Sequence, residues 1–185
     1  MDALTALRDG MAEPFRDIKL NLAAVLAGGS LTTSQRWGVA VASAAAARNP
    51  ALLGGILRAA RAEVAEPVIE DALAAAALMA MNNVYYRFRH LVGKPSYSEK
   101  PARLRMNRIA RPATNRADFE LFSLAVSAIN GCESCVRAHE QAVVSSELSE
   151  EQVHDAARIA AVVQAAAVAL ELSKRPAAEE LPASA

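Results

Sequence analysis

A chain of 185 residues with 53% hydrophobic side chains, much of it alanine, and with few aromatics and few glycines can bury a sizeable core of closely packed helices. Lys and Arg balance Asp and Glu at 20 each, which excludes a general electrostatic attraction to nucleic acid or to an anionic membrane. The longest apolar stretch, residues 72–81, is too short to cross a bilayer and the alanine-rich runs elsewhere are broken by Arg or Glu, so no spanning segment is expected.

Taken in order, residues 3–27 read as one or two helices, with Pro14 suited to a first helical position and Gly28-Gly29 as the stop. Ser30 to Thr33 supplies a cap for a helix over about 34–48 that carries Trp37, Val39 and Val41 into the core, and Asn49-Pro50 breaks it. A further helix covers about 51–63, and Pro67 opens a long alanine-rich helix reaching about Arg89. Met79, Met81, Asn82, Asn83, Tyr85 and Tyr86 close that helix; their pattern suits core or a subunit interface, and no chemistry is assigned to them. Residues 93–116 form a linker with a short helix and a scatter of basic side chains, among them Lys100, Arg103, Arg105, Arg108, Arg111 and Arg116, a solvated surface that is also suited to an acidic protein partner.

Phe119, Phe122, Val126 and Ile129 then recur at steps of three and four, the spacing of a buried helix, which Asn130-Gly131 ends. A second helix is expected from about Cys132 to beyond Glu140, with Cys132 and Cys135 on its first turn. The S-E-E-Q run from Ser149 to Gln152 is a capping box for a last helix to about Leu172, on which His154 carries no role. The small-residue and proline-bearing tail, 174–185, is expected to be disordered. The V-A-S-A before Asn49 echoes the A-V-S-A before Asn130, Ser43-Ala44 matching Ser127-Ala128. The expectation is therefore an all-α fold of two pseudo-repeated halves: 1–92 without thiols, a linker over 93–116, and a redox half over 117–173.

The chemistry gathers in the second half. Residues three apart on a helix are neighbours, so Cys132 and Cys135 can close a disulfide, and the unpaired N–H groups of a first turn favour thiolate over thiol. His139 follows Cys135 by four and lies beneath it, placed to take its proton. Glu120, set among Leu124 and Ala128 on the preceding helix, is placed to orient that imidazole, with burial expected to raise its pKa towards that of a working proton acceptor. The sum is a relay Glu120, His139, Cys135, Cys132, in which one thiolate attacks and the other resolves. Metal ligation is a competing reading: a structural zinc site needs four ligands, and beyond Cys132, Cys135 and His139 the chain offers His90, His154 or a carboxylate. Buried structural cysteines are a second. Glu133, between the cysteines, opposes a thiolate if turned inward, and otherwise simply complements the helix dipole. Two cysteines in this spacing, with no signal peptide at the N-terminus, point to a reducing cytoplasm in which the disulfide is transient.

Four segments together resemble the AhpD-type alkyl hydroperoxide reductases of the carboxymuconolactone-decarboxylase-like superfamily: D-I-K-L-N-L (17–22), W-G-V-A-V-A-S-A-A-A-A-R-N-P (37–50), M-N-N-V-Y-Y-R (81–87), and L-R-M-N (104–107) with the run from Ala117 to Glu140. The resemblance implies a homotrimer of two-halved helical subunits that acts as a thiol peroxidase and adaptor, with no bound cofactor. In such proteins dihydrolipoamide, carried on the lipoyl domain of a 2-oxoacid dehydrogenase component and regenerated by its dihydrolipoamide dehydrogenase, reduces the C-x-x-C disulfide. The dithiol then reduces the peroxiredoxin AhpC, and it reduces alkyl hydroperoxides weakly by itself. By matching positions, Cys135 is the attacking thiol that becomes a sulfenic acid or mixed disulfide, Cys132 the proton donor and resolving thiol, and His139 with Glu120 the proton relay. Ser134 departs from the pattern, because well-known members carry a relay histidine there; a hydroxyl cannot serve as a base near neutral pH. A decarboxylase or lactone-processing relative of the same fold is the alternative class.

Overall fold

The structure, a computed structural model, describes residues 3–174; the expected tail beyond Lys174 lies outside the described residues. Among these residues the chain is helical throughout, without strands. The elements are α1 (Ala3–Asp9), a 3₁₀ turn (Glu13–Phe15), α2 (Arg16–Ala27), α3 (Thr33–Ala46), α4 (Pro50–Ala60), α5 (Glu66–Val92), α6 (Pro95–Ser98), α7 (Asn107–Ala110), α8 (Arg116–Ile129), α9 (Glu133–Ser145) and α10 (Glu150–Ser173).

Local chemistry sets these boundaries. Thr32 and Ser149 close reciprocal capping boxes with Gln35 and Gln152, so α3 and α10 begin with their first amides satisfied. Asn49 and Asn115 accept from the amides of Leu52 and Asp118 and start α4 and α8. Gly93, at φ 64°, ends α5 in the left-handed conformation that glycine adopts without strain. Two details differ from the sequence reading. Pro50 opens α4 at the first helical position rather than merely breaking α3, and the linker holds two four-residue helices instead of one.

The centre is α8, whose nine consecutive residues from Phe119 to Ser127 are all buried, as a helix enclosed on every side must be. It packs on α3, α5, α9 and α10, and α3 also lies on α5 and α10. Gly38 lets α3 approach α8 closely, since a Cβ there would overlap the ring of Phe122. Trp37 is in the core as expected, 6% exposed. Among the described residues one helix, α10, is long and apolar enough to cross a membrane, contrary to the reading that no stretch qualifies. That reading failed because it sought unbroken apolar runs. In the structure Ala156, Ile159, Ala160, Val163, Ala166, Ala167, Ala169 and Leu170 of α10 are buried, on a helix packed against α2, α3 and α8.

In α3 and α8 the same order of parts recurs. Each is fourteen residues long, and a right-handed C-cap (Ala47, Asn130), a left-handed residue (Arg48, Gly131) and the N-cap of the next helix (Asn49, Cys132) follow. The linker is tied down by Asp71 of α5, which is fully buried. It accepts from the amides of Ala113 (2.9 Å) and Thr114 (2.8 Å), from the Thr114 hydroxyl (2.8 Å) and from Arg108 (3.0 Å). Burial pushes its carboxyl up, but these donors together hold it below the ordinary value.

Candidate active site

Cys132 and Cys135 stand at the turn between the two most intimately paired helices of the second half. Gly131, at φ 64°, reverses the chain after α8, and the Cys132 amide donates back to the Ser127 carbonyl at 3.1 Å. Cys132 is the N-cap of α9 with extended φ and ψ, not a residue of its first turn, while Cys135 lies inside that turn. The correction leaves the pair in reach: the Cα atoms are 5.3 Å apart and the sulfurs are joined as a disulfide. Both residues are buried, Cys132 fully and Cys135 to within 7%.

The long helix α5 braces this turn from below. Asn83 donates to the Ser127 hydroxyl and accepts from the Asn130 amide, each at 2.9 Å, and the Arg87 guanidinium donates to the Asn130 carbonyl. Ser127 and Asn130 are thus tied to α5 by two of its side chains.

Glu120 and His139 meet as expected, with Nδ1 of the imidazole 2.6 Å from a carboxylate oxygen. Arg116, one turn earlier on α8, lies 3.6 Å from the other oxygen. The expected rise of the Glu120 pKa does not occur. Burial does push it up, but the hydrogen bond and charge of His139, together with Arg116, outweigh burial and hold the carboxyl below its ordinary value of 4.5. Glu120 is therefore a standing negative charge near neutral pH, suited to orienting an imidazole rather than to storing a proton. The other ring nitrogen, Nε2, lies 3.2 Å from the Met79 sulfur rather than on either cysteine.

Glu133 faces outward, exposed and paired with Arg137 at 2.7 Å and with His90 at 3.7 Å, so its charge is turned away from the sulfurs. His90 is thereby placed on the outer side of α9. Among the described residues no three His, Cys, Asp or Glu side chains gather where they could hold a metal ion. Ser134, at the position of departure, has its hydroxyl 3.7 Å from the Cys132 sulfur.

A cleft of about 200 Å³ opens over Cys135, lined by Asn82, Tyr86, Ser134, Cys135, Ala138 and His139. Met79, Asn82, Asn83 and Tyr86 all reach the site or its support, although the sequence reading gave them no chemistry. Their signal was spacing: they follow one another at steps of three, one and three, one face of a helix, and four polar or polarizable side chains on such a face are unusual for plain core.

Comparison with known proteins decides the family. The chain is 70% identical to an alkyl hydroperoxide reductase AhpD of Anaeromyxobacter dehalogenans (strain 2CP-C), over 100% of both chains. The chain belongs to the AhpD family. It is also 67% identical to a protein of that name from Anaeromyxobacter sp. (strain Fw109-5), over 92% of each, and 44% identical to one from Rhodopseudomonas palustris (strain BisB18), over 91% of this chain and 93% of the relative. Residues 95–179, which hold Glu120, Cys132, Cys135 and His139, match the carboxymuconolactone decarboxylase family. Membership in the AhpD family agrees with the all-helical architecture built above.

Proposed function

We propose that this protein is an antioxidant thiol peroxidase and adaptor. Its dithiol takes electrons from dihydrolipoamide on a lipoyl carrier protein, passes them to an AhpC-type peroxiredoxin, and reduces alkyl hydroperoxides weakly by itself. The observation that carries the reading is the joining of Cys132 and Cys135 across the start of α9, with Cys135 on an open cleft beside the Glu120–His139 pair. The alkyl hydroperoxide reductase names of the relatives support the peroxide side of it.

The place of Cys135 on the cleft, with Cys132 fully buried behind it, supports Cys135 as the attacking thiol and Cys132 as the resolving one. A thiolate of the reductant attacks Cys135, the cysteine that lines the cleft, and Cys132 leaves; the second thiol of the dihydrolipoamide then closes its own disulfide and releases Cys135 as thiolate. Cys135 attacks the partner's disulfide to form a mixed disulfide, and Cys132 resolves it. With a hydroperoxide, Cys135 takes the terminal oxygen as a sulfenic acid, the alkoxide leaves and is protonated by His139, and Cys132 displaces water to restore the disulfide. Glu120 keeps the imidazole oriented throughout. The working assembly is a homotrimer in a reducing cytoplasm.

A coupled assay tests the reading: the protein with dihydrolipoamide, its NADH-driven regenerating enzyme and an alkyl hydroperoxide, with and without an AhpC-type peroxiredoxin. Turnover is expected to be abolished in Cys135→Ser and increased by the peroxiredoxin. Absence of turnover from folded protein defeats the proposal, and turnover surviving in the Cys132→Ser/Cys135→Ser double variant would instead point to decarboxylase or lactone chemistry.

A further inference from the structure

Asn82 lines the cleft over Cys135, is 95% buried as judged by its 5% exposure, and its Oδ1 has no hydrogen-bond partner among the described residues. Buried carbonyl oxygens are rarely left unpaired, because an unmade hydrogen bond costs the full desolvation of the group. The next residue, Asn83, shows the contrast: it spends both ends of its amide on Ser127 and Asn130. Helix α5 therefore carries two adjacent amides, one used to brace the cysteine turn and one whose buried oxygen is unspent in the wall of the cleft. Two other polar groups of the cleft are engaged, Ser134 beside the Cys132 sulfur and His139 between Glu120 and Met79. Of the described buried side-chain atoms that lack a partner, Asn82 Oδ1 alone belongs to a residue of this cleft.

We infer that Asn82 is a substrate-binding residue whose Oδ1 accepts the O–H of a hydroperoxide and presents the terminal oxygen to Cys135. The inference rests on the peroxidase reading and adds a specificity to it. In the step, Cys135 thiolate forms an S–O bond to the terminal oxygen as the O–O bond breaks; sulfur is oxidised to the sulfenic acid and the peroxide reduced to alkoxide, which His139 protonates to the alcohol. The terminal oxygen keeps its hydrogen throughout, so the bond to Asn82 persists from the bound peroxide to the sulfenic acid and orients both. The alkyl group lies along Tyr86 and Ala138 on the open side. Monoalkyl hydroperoxides carry the required hydrogen and dialkyl peroxides do not, so the site selects the former.

The test follows oxidation of the fully reduced chain by cumene hydroperoxide, with Cys135 alkylation by iodoacetamide, reduction of the disulfide by dihydrolipoamide, and the thermal midpoint as companions. In Asn82→Leu, oxidation by the peroxide is expected to slow about tenfold, the worth of one hydrogen bond, while alkylation and disulfide reduction stay within about twofold of wild type. The thermal midpoint is expected to hold or rise, because the variant removes an unpaired buried oxygen; a structural asparagine would lower it. Should Leu prevent folding, Asn82→Ala gives the same readouts. Unchanged peroxide oxidation, or alkylation falling in parallel with it, overturns the assignment. A loss confined to dihydrolipoamide reduction also overturns it and gives the amide to the carrier's carboxamide instead. If wild type itself is not oxidised by cumene hydroperoxide, the peroxidase reading fails first and this inference with it.

Discussion

At the residue scale the Glu120–His139 pair does two jobs, and both are testable. The folded carboxyl lies below its ordinary value, so ionised Glu120 favours the folded state at pH values above the ordinary value of 4.5, and that contribution disappears as pH falls through the lowered one. Glu120→Gln is expected to cost roughly 1.5–3 kcal/mol near neutral pH, the range for a hydrogen bond to a charged group. Its deficit against wild type should shrink in urea titrations run towards acid; a deficit independent of pH would contradict the charge argument. His139 is tested through its sulfur. The rate of Cys135 alkylation in the reduced protein, followed against pH, should lose its low-pH reactive form in His139→Ala, as expected if this one imidazole works without the family's histidine at Ser134. An unchanged profile would show that His139 takes no part. The sequence made both residues legible because charge-bearing side chains at helical spacing from a C-x-x-C are few. What it could not give was the sign of the Glu120 shift, since burial was visible in the apolar neighbours but Arg116 was read only as one of a scatter of basic linker residues.

At the element scale, two glycines in helices should respond in opposite directions to the same substitution. Alanine exceeds glycine in helix propensity by about 1 kcal/mol, so Gly54→Ala in α4, where an added Cβ meets nothing within 4 Å, should stabilise by roughly that amount. Gly38→Ala in α3 gains the same propensity but drives a methyl into the ring of the fully buried Phe122, and overpacking costs typically ~1–3 kcal/mol. Gly38→Ala should therefore melt below wild type and Gly54→Ala above it, and a rise in both would mean that α3 and α8 can slide apart freely. Asp71 makes the third element-scale case. Asp71→Ala leaves Arg108 and the amides of Ala113 and Thr114 without their shared acceptor, a loss of about 3–5 kcal/mol by analogy with broken buried pairs. Helix positions were readable from caps such as Thr32 and Ser149 and from proline and glycine stops. The Asp71 tie was not, because it joins residues whose nearness comes only from the fold. The start of α9 was misjudged by one residue for a physical reason: the Cys132 amide is taken by Ser127, which leaves it a cap and not a helical residue.

At the scale of the whole molecule, one apolar stripe stands out on the surface. Val84, Phe88 and Leu91 follow at steps of four and three along the outer face of α5 and are 61%, 47% and 76% exposed, with Tyr97 of α6 set edge-on against Phe88 at 5.6 Å. Large apolar side chains in one stripe on a helix whose other face is buried are the usual mark of an interface, since each gains roughly 1.5–3 kcal/mol when covered. The sequence placed Met79, Met81, Asn82, Asn83, Tyr85 and Tyr86 in core or at a subunit interface; Met79, Asn82 and Asn83 are buried, and the outward stripe falls on residues that reading did not name. The homotrimer proposed above is therefore expected to close through this stripe. Sedimentation of wild type should give a trimer, and Phe88→Glu combined with Leu91→Glu should give folded monomer, because two carboxylates cannot be buried unpaired. Since Asn82 and Cys135 lie on the cleft and not on the stripe, the monomeric variant should keep its iodoacetamide reactivity while losing part of its peroxide turnover if neighbouring subunits shield the cleft from water. A trimer that survives both substitutions would place the interface on another face of the molecule.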